Sequence, residues 1–204
     1  MSYLPINLDT FGFVIREKRN GLSVKYKCGR DFLYYALHYY FPKKFNQGCN
    51  NPVEIETKRL FGSPVPAYFS WTQIQFYKLP RFLKENSLTL KINKQMIESF
   101  SDFVRAILFS RISHDEAVDI IERGVSKGNV VGVDIALRFE GLEDHVLFVY
   151  GFDEKDFYVF DTHKVPLLKY EKITDDDRYV MRLSRDEVRK RWKIFSRVWE
   201  VNLI

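Results

Sequence analysis

The amino-acid sequence predicts an α+β fold formed by one domain over residues 1–204. Apolar residues recur at helical spacing in the N-terminal half, whereas from Asn129 onward they alternate with a period of two. Several β-rich runs separated by turn residues then follow. Because helices and strands are segregated along the chain, we expect a helical N-terminal half packed on a mostly antiparallel β-sheet.

The composition predicts a folded protein with a sizeable core. Of the 204 residues, 46% are apolar and 16% aromatic. Burying these side chains offsets the loss of chain entropy on folding, which a disordered polar chain cannot do. No window approaches the roughly 20 apolar residues of a membrane span, and the N-terminus lacks the basic and apolar regions of a signal peptide. We therefore expect a soluble cytoplasmic protein, with its oligomeric state left open.

Cysteine content and net charge restrict the function classes. The two cysteines, Cys28 and Cys49, are too few for a disulfide framework and have no zinc-finger spacing, so we expect reduced thiols and neither a metal nor a cofactor. The net charge is +5. The densest basic run, Arg185 to Lys193, contains acids and has no aromatic nucleic-acid signature, so we expect a solvated helix face and no nucleic-acid partner.

The first elements lead into Cys28. The segment FGFVIREKRNGLSVKYK has apolar residues on both sides of Asn20-Gly21, a dipeptide typical of tight hairpin turns. The run RDFLYYALHYYF then shows helical spacing, and Pro42 discourages its continuation. The sequence thus places Cys28 at a helix N-terminus.

Further helices are predicted in the middle of the chain. A short helix covers Val53 to Leu60, and Ser70 with Gln73 caps a helix that Pro80 kinks or restarts before it ends near Asn86. A strand over Leu88–Ile92 follows. An apolar stripe from Met96 to Leu108 predicts a core-facing helix, and Ser113 with Glu116 caps the next one.

The C-terminal part reads as β-structure with one late helix. Alternation after Asn129 predicts a half-buried strand. Ser184 with Glu187 caps a short helix ending near Trp192, and a last strand follows. Between the strand after Asn129 and the helix capped by Ser184, four further β-rich runs predict an antiparallel meander: His145–Phe152, Asp156–Asp161, Val165–Tyr170 and Arg178–Leu183.

Three residues stand out as candidate catalytic groups. A thiol attacks carbonyls as the thiolate, which a helix N-terminus and a neighbouring, oriented imidazole favour. Cys28 begins a helix, His145 begins one β-run, and Asp161 ends the next. A hairpin between these runs places His145 and Asp161 at the same end of the sheet, as an Asp-His pair requires.

The order of these pieces resembles that of the papain-like cysteine peptidases, in particular the branch of bacteriocin-leader-processing peptidases. The resemblance covers most of the chain: Cys28-Gly29 before an apolar helix, NPVEIETKRLFG, SWTQIQFYKLPRFLKENSLTLKI, EAVDIIERGVSKGNVVGVDI, HVLFVYGFD, FYVFD and SRDEVRKRW. It implies a papain-like fold in which Cys28 is the nucleophile, His145 the base and then acid, and Asp161 the residue that orients the imidazole. It further implies a peptide or protein substrate and a thioester intermediate.

The sequence departs from the family pattern near the cysteine. Family members usually carry a Gln several residues earlier that binds the oxyanion, but GLSVKYK contains none, and losing one such donor typically costs about 10²–10³ in rate. Arg30 and Asp31 stand where small or neutral residues are common, and an acid close to the sulfur opposes the thiolate. Asp161 is followed by Thr162 and not by the frequent proline.

Several alternatives remain open at this stage. Cys28 alone reads as a small buried hydrophobe, and a disulfide between Cys28 and Cys49 is an option. His163 is a second candidate base and Asp144 a second orienter, although a neighbour on a strand points to the opposite face. We expect structural roles for His38 and His114, and turn roles for Asp153 and Asp156. A non-catalytic peptide-binding domain and an acyl or peptidyl transferase are the alternative functions.

Overall fold

The computed structural model describes residues 1–6, 28–42, 78–138, 143–161, 167–173 and 180–204. Within these ranges the chain is α+β, with five helices and one open, mostly antiparallel sheet. The predicted class is therefore confirmed at this level. The predicted hairpin at Asn20-Gly21, the helix over Val53–Leu60 and the helix start at Ser70 lie outside the described residues.

Three of the five described helices begin directly after a capping serine. The five are α1 (Cys28–Tyr40), α2 (Leu79–Glu85), α3 (Phe100–Phe109), α4 (His114–Ser126) and α5 (Arg185–Arg191). The side chains of Ser113 and Ser184 cap α4 and α5 as predicted. Pro80 lies in the first turn of α2, where its missing N–H has no intrahelical partner to lose. No helix among the described residues is long and apolar enough to span a membrane.

The strands form one sheet around a central group of long members. They are β1 (Ser2–Tyr3), β2 (Leu88–Ile92), β3 (Gln95–Met96), β4 (Val130–Arg138), β5 (Glu143–Phe152), β6 (Asp156–Phe160), β7 (Tyr170–Lys172), β8 (Val180–Ser184) and β9 (Arg197–Leu203). Their order is β3-β2-β9-β4-β5-β6-β8-β7, and β1 pairs with β5. Every ladder between described strands is antiparallel.

The predicted helix over Met96–Leu108 begins later than its apolar stripe. Asn93 and Lys94 have φ angles of 47° and 73° and form a tight turn that pairs Met96 with β2. Ser99 then caps α3, accepting from the Asp102 N–H while the Asp102 side chain accepts from the Ser99 N–H. The turn and the capping box therefore override the apolar periodicity, and Phe100 and Leu108 are exposed.

Strand β4 was predicted to be half-buried, but both of its faces are covered. Gly132 lies so close to α1 that a Cβ there would come within 2.7 Å of the Phe32 ring. On the opposite face, a Cβ on Gly124 of α4 would come within 2.6 Å of Val131. Glycines at both contacts thus let a helix approach each face, and even Asp134 on β4 is buried.

The predicted meander is wrong in its strand order. Strand β6 pairs with β8. Among the described strands, β7 therefore pairs with β8 alone and lies at the edge of the sheet. Strand β8 carries the buried residues Val180, Met181 and Leu183, whereas β7 is short and reads YEK. A short polar strand is suited to the edge of a sheet and an apolar strand to its interior. This accounts for β8, and not β7, lying next to β6.

Candidate active site

Cys28 is the first residue of α1 and lies in the core contact between this helix and the sheet. It is a free cysteine and only 6% exposed. The N–H groups of the first helical turn have no acceptor within the helix. They give the thiol a positive electrostatic environment, as the sequence predicts.

His145 and Asp161 are brought together by the β5–β6 hairpin. The Asp153 carboxylate closes the turn by accepting from the N–H groups of Lys155 and Asp156 at 2.8 and 2.9 Å, which confirms its predicted turn role. The strands then run side by side to the opposite end of the hairpin. There His145 Nε2 lies 2.8 Å from Asp161 Oδ1, and both residues are buried.

The Cys28 side chain lies close enough to the imidazole of His145 to raise its pKa. Burial lowers the pKa of His145, but the Asp161 carboxylate and then Cys28 outweigh it, so the pKa is raised well above its usual value. The surroundings therefore favour an imidazolium beside the thiol.

Tyr170 holds the other oxygen of Asp161 and was not singled out in the sequence. Its hydroxyl donates to Asp161 Oδ2 from the first residue of β7. Burial and the Asp161 charge raise the pKa of Tyr170, so the hydroxyl keeps its proton and remains a donor. Asp161 is thereby fixed from two sides, one bond to the imidazole and one to the phenol.

Asp134 is a second unanticipated residue near Cys28. Asp134 lies two residues beyond Gly132 on the same face of β4, and Cys28 lies one helical turn before Phe32, the residue that packs on Gly132. The sequence marked Asp134 only as a polar position in an alternating strand. Asp144, a diagonal neighbour on β5, lies close enough to raise the pKa of Asp134, and Asp134 Oδ1 has no partner among the described residues.

The environment of Asp134 favours the protonated form of its carboxyl. Burial raises its pKa well above the usual value, the Asp144 carboxylate and Cys28 raise it further, and Arg197 only partly opposes them. A neutral acid does not repel a thiolate. Asp144, the alternative orienter for His145, lies diagonally across from Asp134 on the neighbouring strand.

We expect Asp134→Asn to stabilise the protein increasingly as pH rises. The folded state retains a proton that the unfolded chain releases above about pH 3.9, so the wild type loses up to about 1.4 kcal/mol of stability per pH unit until the raised pKa is passed. Asparagine has no proton to release. Urea unfolding between about pH 4 and pH 7 measures the difference.

The exposed Asp119 supplies the control for this prediction, since Asp119→Asn makes the same chemical change on the surface of α4. Its effect should not grow with pH. A gain for Asp134→Asn that is equal at all pH values would contradict a protonated Asp134, because only the retained proton makes the difference pH-dependent.

Other residues considered in the sequence fall in different places. Cys49, His163 and Thr162, the segment before Cys28, and the side chains of Arg30 and Asp31 lie outside the described residues. His38 is buried within α1, and His114 begins α4 with its ring 6.3 Å from that of Trp192. Within the described ranges, no three His, Cys, Asp or Glu residues are grouped so as to hold a metal ion.

No known family model, curated protein or solved structure matches the chain. The residues around Cys28 and their geometry therefore carry the functional assignment.

Proposed function

We propose that the protein is a cysteine-dependent hydrolase with a papain-like fold, most simply a peptidase. The proposal is supported above all by one observation, the buried His145–Asp161 pair with the Cys28 side chain close enough to raise the pKa of the imidazole. Nucleophile, base and orienting group occur here in the order that thiol catalysis needs. The strand–helix arrangement, with the cysteine at a helix N-terminus facing the sheet, supports the same assignment.

Each residue has a defined role in this proposal. The Cys28 thiolate attacks the carbonyl carbon of an amide, and the negative charge moves to the carbonyl oxygen. The His145 imidazolium gives its proton to the departing amine as the C–N bond breaks, leaving a thioester on Cys28. Water then attacks the thioester carbonyl while the imidazole takes a proton from the water. The C–S bond breaks, which releases the carboxylic acid and restores the Cys28 thiolate beside the imidazolium. Asp161 holds the ring in one orientation throughout.

The helix N-terminus supplies the donors for the oxyanion in this proposal. The sequence has no Gln in the segment before Cys28, so the unpaired main-chain N–H groups at the start of α1 are the donors at hand. Main-chain donors of this kind stabilise tetrahedral intermediates of acyl transfer. We accordingly expect a lower rate than with an additional side-chain donor, by about 10²–10³.

Trapping of an acyl-enzyme tests this function and separates it from its alternatives. In a Cys49→Ser background, the protein is mixed with p-nitrophenyl acetate, and the mass of the peptide containing Cys28 is followed with time. A hydrolase acquires an acetyl group on Cys28 and loses it to water. Cys28→Ala in the same background is the matched control.

The fate of the acetyl group decides between the three functions. An acetyl group that leaves only after an amine acceptor such as glycinamide is added would identify an acyl transferase. If acetylation of wild type and Cys28→Ala is equally slow, the site has no nucleophile and the domain binds peptides without cleaving them. That second outcome would overturn the enzyme proposal.

A further inference from the structure

A cavity of about 380 Å³ lies beside the first residue of β9, between the α3–α4 connection and the α5–β9 connection. This volume is in the range of small-molecule sites, which span about 300–1,000 Å³. Its walls combine three cationic and three large apolar side chains: Arg111, Lys193 and Arg197 with Ile112, Trp192 and Ile194. None of the described residues that line it is acidic.

Arg197 is the most unusual member of this lining. It is 1% exposed, and its terminal nitrogens donate to the carbonyl oxygens of Ile107, Ile194 and Ser196. Its Nε–H is buried and has no partner among the described residues. Buried donors are nearly always satisfied, so an unpaired guanidinium N–H beside a cavity points to a missing acceptor.

The electrostatics of the cavity favour an anion. Burial lowers the pKa of Arg197, and Asp134 opposes this in its ionised form. The nearby positive charge of Arg111 lowers the pKa of Arg197 further, and Asp144 opposes it. Lys193 adds a third cation to the lining. A negatively charged ligand would relieve this repulsion and supply the acceptor that the guanidinium lacks.

The apolar walls indicate what the anion is attached to. The indole N–H of Trp192 donates to the Ile112 carbonyl at 3.1 Å, which fixes the ring at the cavity wall. Ile194 is 42% exposed and presents apolar surface beside it. A free inorganic anion makes no use of these surfaces, whereas a carboxylate carried on an apolar group covers them.

We propose that this cavity binds a carboxylate attached to an apolar group, such as the C-terminal residue of a peptide. The carboxylate is held by Arg111, Lys193 and Arg197, and the apolar group packs against Trp192 and Ile194. In the sheet, Arg197 of β9 lies opposite Asp134 of β4, and β4 is in turn paired with β5, the strand of His145. Two strand spacings separate the strands of Arg197 and His145, about 10 Å.

This distance suits a substrate whose carboxylate occupies the cavity while a nearby amide bond reaches Cys28. That link to the substrate rests on the proposed hydrolase function. The binding of the carboxylate itself does not, because the cavity and the triad use different side chains.

Isothermal titration calorimetry with N-acetyl-leucine tests the proposal. N-acetyl-leucinamide has the same shape without the charge, and inorganic phosphate has the charge without the apolar group. We expect N-acetyl-leucine to bind with a Kd of about 1 mM or lower and the amide at least about tenfold more weakly. Arg111→Gln and Lys193→Gln should each weaken N-acetyl-leucine about fivefold or more.

Lys190→Gln is the matched control, because it removes the same charge from an exposed position of α5 outside the cavity. Its effect should stay below about twofold, as for a screened surface charge. Cys28→Ser should leave binding unchanged, so a failed hydrolase assay and a failed binding assay remain distinguishable. Equal binding of acid and amide, tighter binding of phosphate than of N-acetyl-leucine, or full binding by both cavity variants would each overturn the proposal.

Discussion

Replacing His145 by alanine should slow the alkylation of Cys28 by iodoacetamide about 10²–10⁴-fold near neutral pH. The Cys28 side chain lies close enough to the imidazole to raise its pKa, and the Asp161 carboxylate favours the charged form of the ring. Without the ring, the thiol loses both its proton acceptor and the positive charge that stabilises the thiolate. The rate is measured by mass spectrometry of the Cys28 peptide in the Cys49→Ser background.

The pH profile adds a second readout to this experiment. Because the pKa of His145 is raised, the imidazolium persists above the ordinary histidine value of about 6.5, and its contribution disappears as pH rises through the raised value. His163→Ala is the control, since the sequence offers His163 as the competing base. If His163→Ala lowers the alkylation rate of Cys28 more than His145→Ala does, His163 and not His145 is the base.

Replacing Asp161 by alanine should lower both stability and reactivity. The substitution leaves the buried His145 ring and the Tyr170 hydroxyl without their shared acceptor. Removing one partner of a buried pair typically costs about 3–5 kcal/mol, and we expect a loss of this size in urea unfolding. The alkylation rate should fall at least about 10²-fold, because the ring is no longer held in place.

Conservative variants separate charge from hydrogen bonding at Asp161. Asp161→Asn retains an oxygen acceptor but removes the negative charge that raises the pKa of His145, so we expect an intermediate rate and a profile shifted to lower pH. Tyr170→Phe removes one donor to the carboxylate, which should cost about 1.5–3 kcal/mol. Tyr158→Phe, which removes a hydroxyl donor to Asp153 at the far hairpin turn, is its matched control. An Asp161→Ala protein as reactive as the wild type would remove Asp161 from the mechanism.

The elements predicted best are those specified by neighbouring residues. Ser113 and Ser184 cap their helices as expected because each cap involves residues only three positions apart. The start of α2 beside Pro80 and the strand Leu88–Ile92 depend on equally local signals. The helix predicted from Met96 begins too early, because apolar spacing does not reveal that Asn93 and Lys94 turn the chain back and pair Met96 with β2.

The residues that escaped sequence reasoning act over long sequence separations. Strand β1 has only two residues and exists through its pairing with Phe152 and Gly151. Asp134 reads as an ordinary polar strand position until α1 and Asp144 are packed beside it. In the sequence nothing distinguishes Arg197 from the other basic residues, whereas in the folded chain it is buried. No local pattern signals such contacts.

The sequence by itself determined the α+β class, the helix that begins at Cys28, and the hairpin that brings His145 to Asp161. Periodicity, caps and turn residues encode these features within short segments. Only the tertiary structure decided that both faces of β4 are covered, that β8 lies between β6 and β7, that Tyr170 and Asp134 lie beside the site, and that Arg197 is buried. Burial and strand pairing depend on which distant segments meet, and that is settled by the packing of the whole core.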